Sequence, residues 1–172
     1  MTTVRAARVQ DAPAMGRVHV RAWQAAYRGQ MPDEYLDGLR AEQRAEYWTG
    51  VLERGPGQTT VLVAEEPPEG VVVGFAALGP AGGQPDAEDG ELYVINVDPD
   101  YWGGGASRAL LEAAQAALAR LGYREAVLWV LPGNARARRF YERAGWVADD
   151  AKRTVEVHGA MVEEVRYRRR LP

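Results

Sequence analysis

The chain contains no cysteine. It therefore has no disulfide, no thiolate zinc site and no cysteine nucleophile. Histidine is scarce as well: His19 and His158 are the only two, far apart in sequence. A histidine-rich metal site is not expected, and the expected metal content is none. Ser107 is the only serine and Lys152 the only lysine. Nearly all the positive charge is arginine, a bias read as genomic base composition rather than as anion binding. The net charge of −3 implies no general affinity for nucleic acid or an anionic membrane. No apolar run approaches the roughly 20 residues of a membrane helix. The opening Met1-Thr2-Thr3-Val4-Arg5 carries no signal-peptide h-region. The expected location is the cytoplasm.

What is present reads as one α/β (α+β) domain over residues 1–172, long enough to bury a sizeable core. Val4 to Arg8 alternates as a first strand, and Asp11 can cap a helix from Ala12 to about Arg28. A second helix is expected from about Asp33 to Leu52, broken by Arg54-Gly55-Pro56-Gly57. Thr60–Ala64, Val71–Leu78 and Glu91–Val97 read as strands, with a polar loop from Gly79 to Gly90. Gly105 to Gly122 is a loop-to-helix unit, followed by a strand from Ala126 to Leu131. Pro132-Gly133-Asn134 opens a last helix, which Gly145 ends near Ala144. Trp146–Val147, Arg153–Val157 and Val162–Arg169 close the chain as strands around a turn at His158-Gly159. One strand–helix–strand unit, 91–131, thus sits inside an otherwise antiparallel sheet.

The stretch Val97-Asp98-Pro99-Asp100-Tyr101-Trp102-Gly103-Gly104-Gly105-Ala106-Ser107-Arg108 carries the most information. A strand precedes it and a helix follows. That order aims backbone N–H groups and the positive end of a helix dipole at one point, as a phosphate site requires. Spacing sorts the phosphate ligands. No lysine follows the glycines, so G-x-x-x-x-G-K-[ST] fails. For G-x-G-x-x-G, Gly103 and Gly105 supply two positions, but Arg108 occupies the third and the motif lies mid-chain. Gly105-Ala106-Ser107-Arg108-Ala109 approaches a G-x-S-x-G nucleophile elbow, with Asp149 and His158 following in hydrolase order. That weaker alternative needs a longer chain and more strands before the turn.

The same stretch resembles the acetyl-CoA loop of the GNAT family of N-acetyltransferases, V-x-P-x-x-[R/Q]-x-x-G-x-[G/A]. Val97, Pro99 and Gly105 match, and Gly103 matches the glycine of the R-G-x-G form. Two positions depart: Trp102 stands where Arg or Gln is usual, and Ser107 where Gly or Ala is usual. The indole supplies no cationic contact to a pyrophosphate. About 30 residues later, Asn134-Ala135-Arg136-Ala137-Arg138-Arg139-Phe140-Tyr141-Glu142-Arg143-Ala144-Gly145-Trp146 resembles the family's N-x-x-A-x-x-F-Y-x-x-x-G-F element.

The resemblance implies a mixed, mostly antiparallel sheet with helices on both faces and a cleft where strands 91–97 and 126–131 splay apart. It implies acetyl-CoA as cosubstrate, held by Ile95, Asn96 and Val97 on the bulged strand, by Trp102, Gly103, Gly104, Gly105, Ala106, Ser107 and Arg108 in the loop, and by Asn134 and Tyr141. Tyr141 lies about two helical turns after Asn134 and shares its face. A phenol with a pKa near 10 can protonate a departing thiolate, so Tyr141 is the expected general acid. Glu91 is the candidate base, with an exposed strand-start carboxylate as its other reading; His19 is second, and deprotonation by solvent is the remaining route. His19, Trp23 and Tyr27 recur every fourth residue and share one face, which packs on the sheet as core or, as a candidate, lines the acceptor pocket. Arg136, Arg138 and Arg139 could reach the cofactor phosphates but read first as a solvated helix face, and Arg166, Arg168, Arg169 and Arg170 read as an exposed edge or subunit contact. The expected activity is direct acetyl transfer to a primary amine, with a small-molecule acceptor, no nucleic-acid or membrane partner, and a monomer or homodimer. A non-catalytic CoA-sensing module and a protein N-terminal acetyltransferase are the alternatives.

Overall fold

The computed structural model describes residues 1–55, 57–157 and 159–172. Among them, strands β1 (Thr3–Ala6), β2 (Thr60–Glu66), β3 (Val71–Pro80), β4 (Gly90–Val97), β5 (Glu125–Val130), β6 (Val147–Val157) and β7 (Ala160–Arg170) form one sheet, ordered β1-β2-β3-β4-β5-β7-β6. The helices are α1 (Ala12–Ala26), α2 (Asp33–Asp37), α3 (Ala41–Glu53), α4 (Ala106–Arg120) and α5 (Ala135–Arg143). Neighbouring strands run antiparallel except β4 and β5, which α4 connects. The expected mixed sheet is therefore present, and the strand–helix–strand unit is its one parallel pairing.

That pairing is short. β4 and β5 meet only at Gly90 with Ala126 and Glu91 with Val127. Beyond those pairs β4 follows β3, and β5 follows β7. The two strands separate, and among the described residues no strand pairs with β4 on its β5 side after Glu91. The β3–β4 register also shifts, from Ala77 opposite Val94 to Leu78 opposite Leu92. Tyr93 is the extra residue of a bulge, a device that bends a strand and re-aims its side chains.

Each face of the sheet has its own core. Leu110, Leu111, Ala114 and Leu118 of α4 pack with Leu92, Val97, Leu128 and Tyr167 on one face, and α5 adds Tyr141. Met15 and Val18 of α1 pack with Trp48 of α3, Val63 and Phe75 on the other. In the first core Trp146 donates its indole N–H to Gln115 Oε1 at 2.9 Å, so neither buried polar group is stranded.

Tertiary packing corrects four local readings. The helix expected over Asp33–Leu52 is two helices, α2 and α3, with Arg40 extended between them. The reason lies on α1. A Cβ at Gly16 would sit 2.4 Å from Ala41 O, so α3 rests with its backbone against this glycine and the chain bends to bring it there. Asp11 does precede α1, but its carboxylate makes no capping bond. It takes both terminal nitrogens of Arg5, at 2.8 and 2.9 Å, and the Arg8 N–H instead. Trp146–Val147 and Arg153–Val157 are not separate strands: Val147 to Val157 is one strand, irregular between Ala148 and Lys152. Finally, β7 is not an edge. It lies between β5 and β6, and two of its arginines are paired: Arg166 with Asp149, and Arg168 with Asp89, Glu125 and Asp149. The turn residue His158 and the helix-breaking Pro56 lie outside the described residues.

Candidate active site

The loop after β4 is built to present donors. Asp98 accepts from the Asp100 N–H and starts a single 3-10 turn. Arg21 of α1 reaches Asp98 and Asp100 at 2.8–3.1 Å and ties the loop to the opposite layer. Gly103 (φ 80°) and Gly105 (φ 99°) then adopt the left-handed conformation that glycine adopts at no steric cost. Gly105 is the N-cap of α4 and offers no side chain to cap it. The N–H groups of Gly103, Gly105, Ala106, Ser107 and Arg108 have no backbone acceptor among the described residues. They are the orphan donors of a helix start, and with the helix dipole they suit a pyrophosphate. The residues present therefore fit a CoA diphosphate.

Trp102 does not point into solvent. Its indole N–H donates to Val97 O at 2.8 Å, and the ring packs on the α4-side core. The Arg136 guanidinium lies over it, 3.6 Å from the ring centroid. Three of the four arginines of α5 thus separate. Arg138 bonds the Tyr167 hydroxyl and Pro132 O, Arg136 is exposed but stacks on Trp102, and Arg139 is exposed.

Asn134 caps α5, accepting from the Ala137 N–H at 3.2 Å. Its amide faces the Tyr27 hydroxyl at the end of α1. Tyr27 in turn lies within electrostatic reach of Tyr141. Tyr141 is buried, and burial pushes its pKa well above the ordinary phenol value. Tyr27 is pushed up to about 12, first by burial and then by Glu164. Both phenols stay protonated at working pH.

Glu91 is buried at the last β4–β5 pair. It accepts the Gly82 N–H at 3.0 Å. Burial raises its pKa above the ordinary carboxylate range, Gly82 and Arg153 oppose the rise, and Glu164 adds to it. Glu164 was not picked out from sequence. It pairs with Arg153, which also lies 4.3 Å over the Trp129 ring, and it faces both Glu91 and Tyr27. The usable signal was its register on β7, two residues from the partner of Trp129.

The aromatic stripe divides. His19 is only 6% exposed, stacked between Trp23 (4.9 Å) and Phe75 (6.4 Å). Neither ring nitrogen has a partner among the described residues, and burial lowers its pKa to about 4, so it stays neutral at pH 7 and is a weak base. Trp23 and Tyr27 instead join Tyr35, Met31, Leu36, Leu39 and Leu131. Tyr35 keeps the four-residue spacing of the stripe but lies on α2, a separate helix, so its place beside Trp23 and Tyr27 comes from tertiary packing. A cavity of about 270 Å³ adjoins this cluster, lined by Gln30, Leu131–Gly133 and 161–163. Asn96, opposite Phe75, leaves its amide nitrogen buried without a partner among the described residues. The elbow reading fails on Asp149. It sits on the outermost strand, β6, held by Arg166 and Arg168, whereas Ser107 opens α4.

The profile of the acetyltransferase (GNAT) family matches residues 20–146, which include β4, the glycine loop, α4 and α5. The chain belongs to the GNAT acetyltransferase family. It is 32% identical over 167 residues to the uncharacterized N-acetyltransferase YuaI of Bacillus subtilis (strain 168), covering 96% of this chain and 91% of that one. A mycothiol acetyltransferase of Amycolatopsis mediterranei (strain U-32) is 32% identical over 141 residues, but the match spans only 43% of its length and 80% of this chain. The fold superposes with a TM-score of 0.78 on the PaiA N-acetyltransferase of Thermoplasma acidophilum in complex with coenzyme A, at 19% identity over 99% of each chain. This GNAT chain is thus an acyltransferase, and acetyl-CoA is its cosubstrate. Among the described residues no helix is long and apolar enough to cross a membrane.

Proposed function

We propose that this GNAT enzyme transfers the acetyl group of acetyl-CoA to the primary amine of a small molecule, by direct attack while both substrates are bound. The observation that carries the reading is the meeting of Tyr27, at the end of α1, with Asn134 and Tyr141 of the α5 element. Bound acetyl-CoA supplies an activated thioester. The loop from Trp102 to Arg108 holds its diphosphate, and the open edge of β4 at Ile95, Asn96 and Val97 offers backbone partners to its arm. An N–H of that edge stabilises charge developing on the acetyl oxygen.

Tyr141 donates the proton that the leaving sulfur needs. Burial makes the phenol a weaker acid, but the same apolar wall destabilises a thiolate released against it, so relative acidity survives. Glu91 takes the proton from the amine, and the raised carboxylate pKa makes it a better base than an exposed glutamate. His19 is set aside as a base and packs behind the acceptor wall of Trp23 and Tyr27. A chain without cysteine has no thiol for an acyl-cysteine route, which supports direct attack. The cavity beside the wall suits a small acceptor, and a relative named for mycothiol agrees with one.

Thiol release from acetyl-CoA across a panel of small amines and short peptides tests the proposal. Turnover with a small amine supports it. Tight CoA binding with no turnover on any amine supports the sensing module, and turnover on peptide N-termini alone supports the protein-directed alternative. Either outcome overturns the proposal.

A further inference from the structure

The acetyl-CoA loop of this chain has lost its side-chain cation, because Trp102 occupies the position of the family's Arg or Gln. We propose that Arg136, stacked on Trp102, supplies the cationic contact to the cofactor diphosphate from α5 instead.

Trp102 is a fixed plate. Its N–H is bonded to Val97 O at 2.8 Å and one part of its ring is packed on the core, immediately before the three glycines. Arg136 lies 3.6 Å from the ring centroid, within the range of a cation–π contact. A guanidinium laid on a ring keeps its in-plane N–H groups free for an oxyanion. Arg136 makes no ion pair or hydrogen bond among the described residues, whereas neighbouring Arg108 is held by Glu112 and Arg138 by the Tyr167 hydroxyl and Pro132 O. Partial burial without an anion even lowers the Arg136 pKa. A cation held in place, short of an anion, and set on the residue that opens a cluster of free N–H donors is poised for a phosphate group. Arg136 also sits in the first turn of α5, two residues after Asn134. Diphosphate affinity in this chain therefore depends on the docking of α5 as well as on the loop.

Calorimetric titration with CoA and with dephospho-CoA, which keeps the diphosphate and lacks the 3′-phosphate, tests the assignment. Binding of CoA by the wild type is the control for the cofactor reading itself. Arg136→Ala should weaken both ligands by the same factor, about tenfold or more, as expected for a charge-assisted contact. Its melting temperature without ligand should stay at the wild-type value. Trp102→Ala should weaken binding similarly, and the double variant should lose little more, because the two residues act as one unit. Arg136→Ala combined with Trp102→Arg should regain affinity. Unchanged CoA affinity in Arg136→Ala overturns the proposal, as does a loss confined to CoA, which would assign the contact to the 3′-phosphate.

Discussion

Acidification should destabilise the protein through one buried histidine. His19 has a folded-state pKa of about 4 against an ordinary 6.5, lowered first by burial and then by Arg44. Between those values the unfolded chain binds a proton that the folded chain does not, so stability rises with pH across the window. The contribution is fully present above about 6.5 and is lost as pH falls through 4. The interval corresponds to roughly 3 kcal/mol. Among the described residues no hydrogen-bond partner offsets it, since both ring nitrogens are buried and unpaired there. The Asp11 carboxylate, held low first by Arg5, is also lost in acid, so the wild type alone does not isolate the histidine. His19→Phe isolates it: a ring remains between Trp23 and Phe75, and the titration is removed. Urea unfolding of both proteins at a series of pH values from about 7 to 4 gives the difference. The wild type should lose about 3 kcal/mol more than the variant over that interval. Parallel pH dependences would show that His19 is solvated or paired in solution and would refute the reasoning.

Tyr141→Phe should lower kcat by a factor on the order of a hundred or more and leave the KM for acetyl-CoA nearly unchanged, as loss of a proton donor does; an unchanged kcat would remove its acid role. Glu91 must be deprotonated to act as a base, and its raised pKa means that kcat/KM falls as pH drops through the upper carboxylate range. Glu91→Gln should flatten that acid limb while lowering the rate, and a limb that persists would transfer the role to another group. Trp146→Phe should cost about 1–3 kcal/mol in urea unfolding, because it strands the buried Gln115 carbonyl. Adding Gln115→Leu should recover part of that loss, and a further loss would contradict the pairing.

The loop and the α5 element were legible because their requirements are local. A φ of 99° at Gly105 and a cap at Asn134 are met by residue type at fixed spacing. The strands of the sheet were legible from alternation. What escaped depended on partners distant in sequence. The break between α2 and α3 is decided by the contact of Ala41 with Gly16, which no local period encodes. The arginines of β7 looked like an edge until strand order put β6 outside them. Arg136 is exposed on the helix surface, as its sequence suggests, and only its stacking on Trp102 was not legible, because Trp102 lies on another element. Glu164 enters the site only through cross-strand register.

The most direct test of direct acetyl transfer is the initial rate of CoA release with acetyl-CoA and the best amine varied against each other. Intersecting double-reciprocal lines, with release dependent on the amine, are the predicted result. Parallel lines would indicate an acetylated enzyme intermediate and would contradict the account.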